Sequence, residues 1–142
     1  MNTNQSVCNY AILRFLPYPE TGEFVNVGVL VTCMQPCLLH FEAESKMPER
    51  AKVLFPRQDA QAFEAGLKAF CVDMERIKRG ARDPKSVQFA FTETVRIRES
   101  VFRFGEIRTI LTPNPKRISG ELFKRYVRME EVSMINEATV LS

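Results

Sequence analysis

The segment Tyr10-Ala-Ile-Leu-Arg-Phe-Leu-Pro-Tyr-Pro-Glu-Thr-Gly-Glu-Phe-Val-Asn-Val-Gly-Val-Leu-Val31 decides the fold of this 142-residue chain. Val7 to Leu16 is apolar and rich in aromatic and β-branched residues, which favours a strand. Pro17 and Pro19 lack the N–H that a ladder needs, and Gly22 suits a left-handed turn. Phe24 to Met34 then reads as a second strand, and the short connection makes an antiparallel hairpin. Strand alternation puts Tyr10, Ile12 and Arg14 on one face of the first strand. It puts Val25, Val27, Val29 and Val31 on one face of the second, and Phe24, Asn26, Gly28 and Leu30 on the other. The valine face is expected to bury against helices. Asn26 and Gly28 then have two readings: a local bulge, or a polar site facing Arg14.

Working outward, Gln35-Pro36 ends the second strand, and Cys37 to Glu42 reads as a third. Residues 45–56 hold a short helix with Pro48 in its first turn. Ala60, Phe63, Leu67, Phe70, Met74 and Ile77 form one stripe at helical period, predicting a helix over Asp59 to Arg79 with Asp59 as N-cap. Residues 87–111 read as β-structure, from the alternation of Phe89 with Phe91, Val95 with Ile97 and Phe102 with Phe104. Gly105 marks a bend there, and Asn114-Pro115 introduces a last helix. The order is β-β-β, helix, β-β, helix. It predicts an α+β domain over residues 7–131, an antiparallel sheet of about five strands with helices packed on one face. Residues 1–6 and 132–142 are expected to be flexible termini.

The composition is that of a globular domain, 45% hydrophobic and 26% charged. No apolar run reaches membrane-spanning length, and residues 1–6 carry no signal-peptide features, so a cytoplasmic protein without a membrane role is expected. Cys8, Cys33, Cys37 and Cys71 are accordingly read as free thiols.

Chemistry-bearing patterns are sparse. Cys33, Cys37 and His40 have spacing that zinc tolerates, but a strand would turn Cys37 and His40 to opposite faces, so no metal and no cofactor is expected. His40 is the only histidine, and no nucleophile elbow or phosphate loop accompanies it. Glu42 and Glu44 lie at a solvated strand end. These absences favour a non-enzymatic role and leave one weak enzymatic alternative, a polar cluster of Arg14, Glu23 and Asn26. Charge is uneven: residues 72–128 carry fourteen basic and seven acidic side chains, and residues 129–142 carry three acidic ones. Arg76, Arg79, Arg96, Arg98, Arg103, Arg108, Arg117 and Arg125 define a candidate basic surface for nucleic acid. The same residues also suit helix C-termini and solvated strand faces.

Tyr10, Arg14, Phe15, Pro17, Gly22, Glu23, Asn26, Gly28 and Val29 match the opening pattern of a bacterial family of small proteins known as a domain of unknown function. Arg108-Thr-Ile-Leu-Thr112, Leu122-Phe123 and Tyr126-Val127 resemble its later blocks, with Thr109 where the family pattern has Pro. Genes of the family often lie beside kinases similar to the HipA toxin class. The resemblance therefore implies an accessory or regulatory role in a toxin–antitoxin-like setting. Two functions follow as expectations. The first is a protein-interaction or regulatory protein, partnered by a HipA-like kinase, with Tyr10, Arg14, Glu23, Asn26 and Gly28 as interaction residues. The second is a nucleic-acid-binding module using residues 76–128.

Overall fold

The computed structural model describes residues 5–96, 100–130 and 139–140. Its centre is β1 (Ser6–Phe15), which pairs antiparallel with β2 (Val25–Met34) on one edge. A short 3-10 turn, Pro19–Thr21, joins them, and Gly22 closes it at φ +75°, a conformation that glycine takes without strain. β3 (Cys37–Ala43) extends the sheet beyond β2. Three helices follow: α1 (Glu49–Leu54), α2 (Ala60–Gly80) and α3 (Pro84–Arg96). The chain returns to the free edge of β1 as β4 (Phe102–Phe104) and β5 (Arg108–Thr112). α4 (Ile118–Tyr126) comes next, and β6 (Thr139–Val140) adds a last short pairing to β5. The strand order is β3-β2-β1-β5-β6, with β4 also beside β1. This is the α+β class, with the antiparallel sheet that the hairpin predicts. Among the described residues no helix is long and apolar enough to cross a membrane.

The long helix forms as its stripe requires. Phe63, Leu67 and Met74 are buried, with Ala60, Phe70 and Ile77 packed beside them, and Asp59 Oδ2 accepts the Ala62 N–H at 3.0 Å. Residues 87–96 depart from expectation: they belong to the helix α3, not to β-structure. The decisive signal is at the start. Asp83 Oδ1 accepts the Ser86 N–H at 2.7 Å, Ser86 Oγ accepts the Asp83 N–H at 3.2 Å, and Pro84 opens the helix. That reciprocal cap satisfies orphan donors, and the buried set Val87, Phe91, Thr94 and Val95 has helical, not alternating, spacing. Phe89, which the alternation paired with Phe91, is 68% exposed. Ile97 and Arg98 lie outside the described residues. The last helix also starts later than Asn114-Pro115 implies. Those residues form a turn closed by Arg117 N–H to Asn114 O, 3.0 Å, and the α-helix begins at Ile118.

Both faces of the sheet are buried. One face, with Ala11, Leu13, Phe15 and Leu30, meets α1, α2 and α3 through Ala51, Phe63, Leu67, Val87 and Phe91. The other face, with Tyr10, Ile12, Val29 and Val31, meets Ile118 and Leu122 of α4. The helices therefore divide three to one between the faces, instead of all lying on one. Two-sided burial explains why β2 is apolar almost throughout.

The valines divide as well. Leu13 pairs with Gly28 but Arg14 pairs with Asn26, so Val27 is an extra residue, a β-bulge. One added residue reverses side-chain parity. Val25 and Val27 accordingly join the core under α1–α3, while Val29 and Val31 join the core under α4, in place of the single valine face that strict alternation predicts.

Gly28 allows a close approach at the bulge. A Cβ there would sit 2.9 Å from Glu42 O and 3.3 Å from Ala43 Cβ. Gly28→Val should cost about 1–3 kcal/mol by overpacking, read from the urea midpoint. Gly120, inside α4, has open space around it, so Gly120→Ala should raise stability by up to about 1 kcal/mol in the same assay.

Candidate functional site

The bulge places Asn26 beside Arg14 in register, on the face that α4 covers. Tyr10 lies on the same face, fully buried, with its hydroxyl 3.3 Å from that of Tyr126 on α4. Asn26 Nδ2 donates to Tyr126 O at 3.2 Å, and its own backbone carbonyl accepts from Arg50 Nη2 at 2.8 Å. Asn26 thus ties β2 to both α4 and α1. Since Tyr126 O only accepts, the amide nitrogen must face it. Asn26 Oδ1 is left buried with no donor among the described residues.

Arg14 is held by packing alone. Its guanidinium carbon stands 4.2 Å from the centroid of the Phe24 ring. Gly105 closes against the guanidinium: a Cβ built there would lie 2.7 Å from Cζ and 2.8–3.0 Å from the two Nη atoms. Cζ is the nearest of the three, so Gly105 lies over the guanidinium face. The Arg14 side chain makes no hydrogen bond or ion pair among the described residues, and its Nε is buried. Burial, then the neighbouring Arg108 cation, pushes its pKa down from the ordinary value.

The break between β4 and β5 opens this place. Leu13 pairs with Phe104 and Tyr10 with Arg108, so four steps on one side span three on β1. Gly105 N–H bonds Ile12 O at 2.9 Å, and the chain then leaves β1 until Arg108. A small cavity of about 120 Å³ results, with Arg14, Asn26, Glu106, Arg108 and Tyr126 in its wall. Arg108 reaches Glu106 at 3.2 Å. A second, open cavity of about 740 Å³ lies alongside, and Phe24, Asn26 and Tyr126 border both. Val25, Val53, Leu54 and Met129 make most of its remaining wall apolar, with Glu49 and Arg50 as its charged members. Phe24, Val53, Leu54 and Met129 are all exposed, Val53 by 74% and Met129 by 73%.

Of the interaction residues read from the sequence, Tyr10, Arg14 and Asn26 come together. Glu23 does not: it is exposed and lines a separate concavity with Tyr18, Thr21 and Arg57. The cluster of Arg14, Glu23 and Asn26 therefore does not assemble. Gly28 is turned away, toward Leu13 and Ala43. The basic residues are dispersed. Arg76, Arg79 and Arg96 sit on helices over one face, Arg117 and Arg125 at the helix over the other, and Arg98 is outside the described residues. Arg103 donates to Ser100 O at 2.7 Å, and only Arg108 borders the Arg14 cavity. Tyr126, Phe24, Glu106 and Arg50 were not legible as site residues, because nothing in their spacing links them to Arg14. Gly105 was legible only as a bend. Among the described residues no three His, Cys, Asp or Glu groups converge as metal ligands. Cys8 and Cys33 are buried, free and opposite each other across β1 and β2.

The family model described as Protein of unknown function (DUF3037) matches residues 10–127, most of the chain, and the protein belongs to that family. No curated protein and no solved structure matches. Thr109, the departure from the family pattern, donates its hydroxyl to Asn9 Oδ1 at 2.9 Å, a contact that a proline could not make.

The face under α4 has a pH signature. Burial, then Cys33, pushes the Cys8 thiol up from 9.0, and burial, then Tyr126, pushes the Tyr10 phenol up from 10.0. Raised acids keep their protons in the fold after the unfolded chain has lost them. Their stabilisation is full below the unfolded values and falls as pH rises beyond them. Urea midpoints should drop above about pH 9, and each group should steepen the fall by up to about 1.4 kcal/mol per pH unit. Cys8→Ala and Tyr10→Phe should each flatten that decline.

Proposed function

We propose that this member of the DUF3037 family is a protein-interaction module that receives an apolar segment of a partner in the groove between β2, α1 and the end of α4. One observation carries this reading. Phe24, Val53, Leu54 and Met129 are exposed around a single concavity of about 740 Å³, with Asn26 and Arg50 beside them. Scattered exposed apolar residues need no explanation, but a concave cluster rimmed by polar groups is the form of a recognition site.

A narrower form names the partner as a kinase similar to the HipA class and places the protein in a bacterial regulatory pair. Only the family resemblance supports that form. Nucleic-acid binding has less support than protein binding, because the basic residues sit on elements covering opposite faces of the sheet. A phosphate backbone needs them on one continuous surface.

Val53→Glu and Met129→Glu place charge in the groove at highly exposed positions, so stability should change by no more than about 0.5 kcal/mol. Affinity purification of the tagged chain from its native host should retain a defined protein, and both variants should lose it. Retention equal to that of the parent chain would sink the proposal.

A further inference from the structure

We propose that the Arg14–Arg108 cavity takes the carboxylate of an acidic side chain, carried by the partner segment that lies in the adjoining groove. This deepens the interaction reading above and rests on it. The first argument is the state of Arg14. Its guanidinium is clamped on its faces, by the Phe24 ring and by Gly105, and its donors have no acceptor among the described residues. A guanidinium so held presents its edge, and its forked donors match the two oxygens of a carboxylate in the same plane.

The second argument is charge. The cavity wall holds two arginines and one glutamate, leaving one positive charge unanswered. A monoanion neutralises it, whereas a phosphate dianion would leave an excess negative charge in a half-buried site. Removing the unfavourable pairing of Arg14 with Arg108 is part of what such an anion supplies. The third argument is Asn26 Oδ1, a buried acceptor without a donor. A peptide carrying an acidic side chain also carries a backbone N–H, the donor that this oxygen lacks. Size agrees. A cavity of about 120 Å³ has room for a carboxylate and its methylene. Continuity completes the case: Phe24, Asn26 and Tyr126 border both cavities, so a segment with apolar residues in the groove can set a neighbouring acid in the pocket.

The test is a titration of the full, isotope-labelled chain at constant ionic strength, following the Arg14 Nε–Hε resonance. The probes are the methylamide of N-acetyl-aspartate, N-acetyl-alanine as a chain-terminal carboxylate, acetate, and inorganic phosphate. The aspartate derivative should give a saturable shift. It should bind about threefold to tenfold tighter than acetate, the gain of one added hydrogen bond. N-acetyl-alanine and phosphate should bind more weakly than the aspartate derivative.

Arg14→Gln should abolish the response of the other pocket resonances. Should that variant not fold, Gly105→Ala keeps the cation but pushes the guanidinium out of place, and Arg108→Gln removes the second charge. Each should weaken binding at least about tenfold, as expected for a lost charge-assisted contact. No saturable shift, or affinity unchanged in Gly105→Ala and Arg108→Gln, overturns the proposal. Tighter binding of phosphate or of N-acetyl-alanine overturns the side-chain carboxylate assignment.

The probes make no use of the apolar groove, so Val53→Glu and Met129→Glu should leave the titration unchanged. Failure of the pocket and failure of the groove are thereby separable. A partner that is retained by the parent chain and lost by Gly105→Ala supports the coupling of the two. A partner retained equally by Gly105→Ala overturns it, whatever the small probes do.

Discussion

The extra residue in β2 is the constraint on which this molecule turns. Without Val27, the strand would run in simple alternation, and all four valines would lie on one face. With it, each half of β2 contributes to a different core: Val25 and Val27 beneath α1–α3, Val29 and Val31 beneath α4. The bulge also fixes where Asn26 goes. Paired with Arg14, it sits on the α4 side and bonds the last turn of that helix. Gly28 makes the arrangement possible, because the backbone of β3 approaches it too closely for any side chain.

The second dependency is on the other edge of β1. β4 and β5 share that edge but not its register, and the mismatch at residues 105–107 detaches the chain just where Arg14 needs room. Two irregularities, one on each edge of one strand, therefore converge on the same side chain. Regular pairing would have filled the place with backbone. Irregular pairing leaves a cation clamped between a ring and a glycine, with an unmet acceptor nearby. Such combinations cost stability and are tolerated where something else compensates. This is the physical reason for proposing a site here.

Legibility followed the length of the signal. The hairpin and third strand are readable from runs of apolar and β-branched residues cut by Pro and Gly, and the long helix from one period kept over many residues, with Asp59 marking where that helix begins. Residues 87–96 mislead because Phe89 and Phe91 fit alternation over three positions, whereas the helical spacing of Val87, Phe91, Thr94 and Val95 needs nine to be seen. The cap of Asp83, Pro84 and Ser86 was the available corrective. Tyr10, Arg14 and Asn26 stand out within one hairpin, and the fold brings them to one face. Glu23 was grouped with them by sequence proximity alone, and the turn carries it elsewhere.

By itself, then, the sequence determined the α+β class, the antiparallel hairpin at its centre and the buried stripe of α2. These rest on local periodicity and on residue types that act where they stand. The tertiary structure alone decided which face each valine serves, that α4 covers the side opposite the other helices, and that Tyr126, Glu106 and Arg108 meet Arg14. The valine faces depend on the shifted register between β1 and β2, and the meeting of Arg108 with Arg14 depends on the pairing of β1 with β5, a segment far along the chain, which no single window of sequence contains.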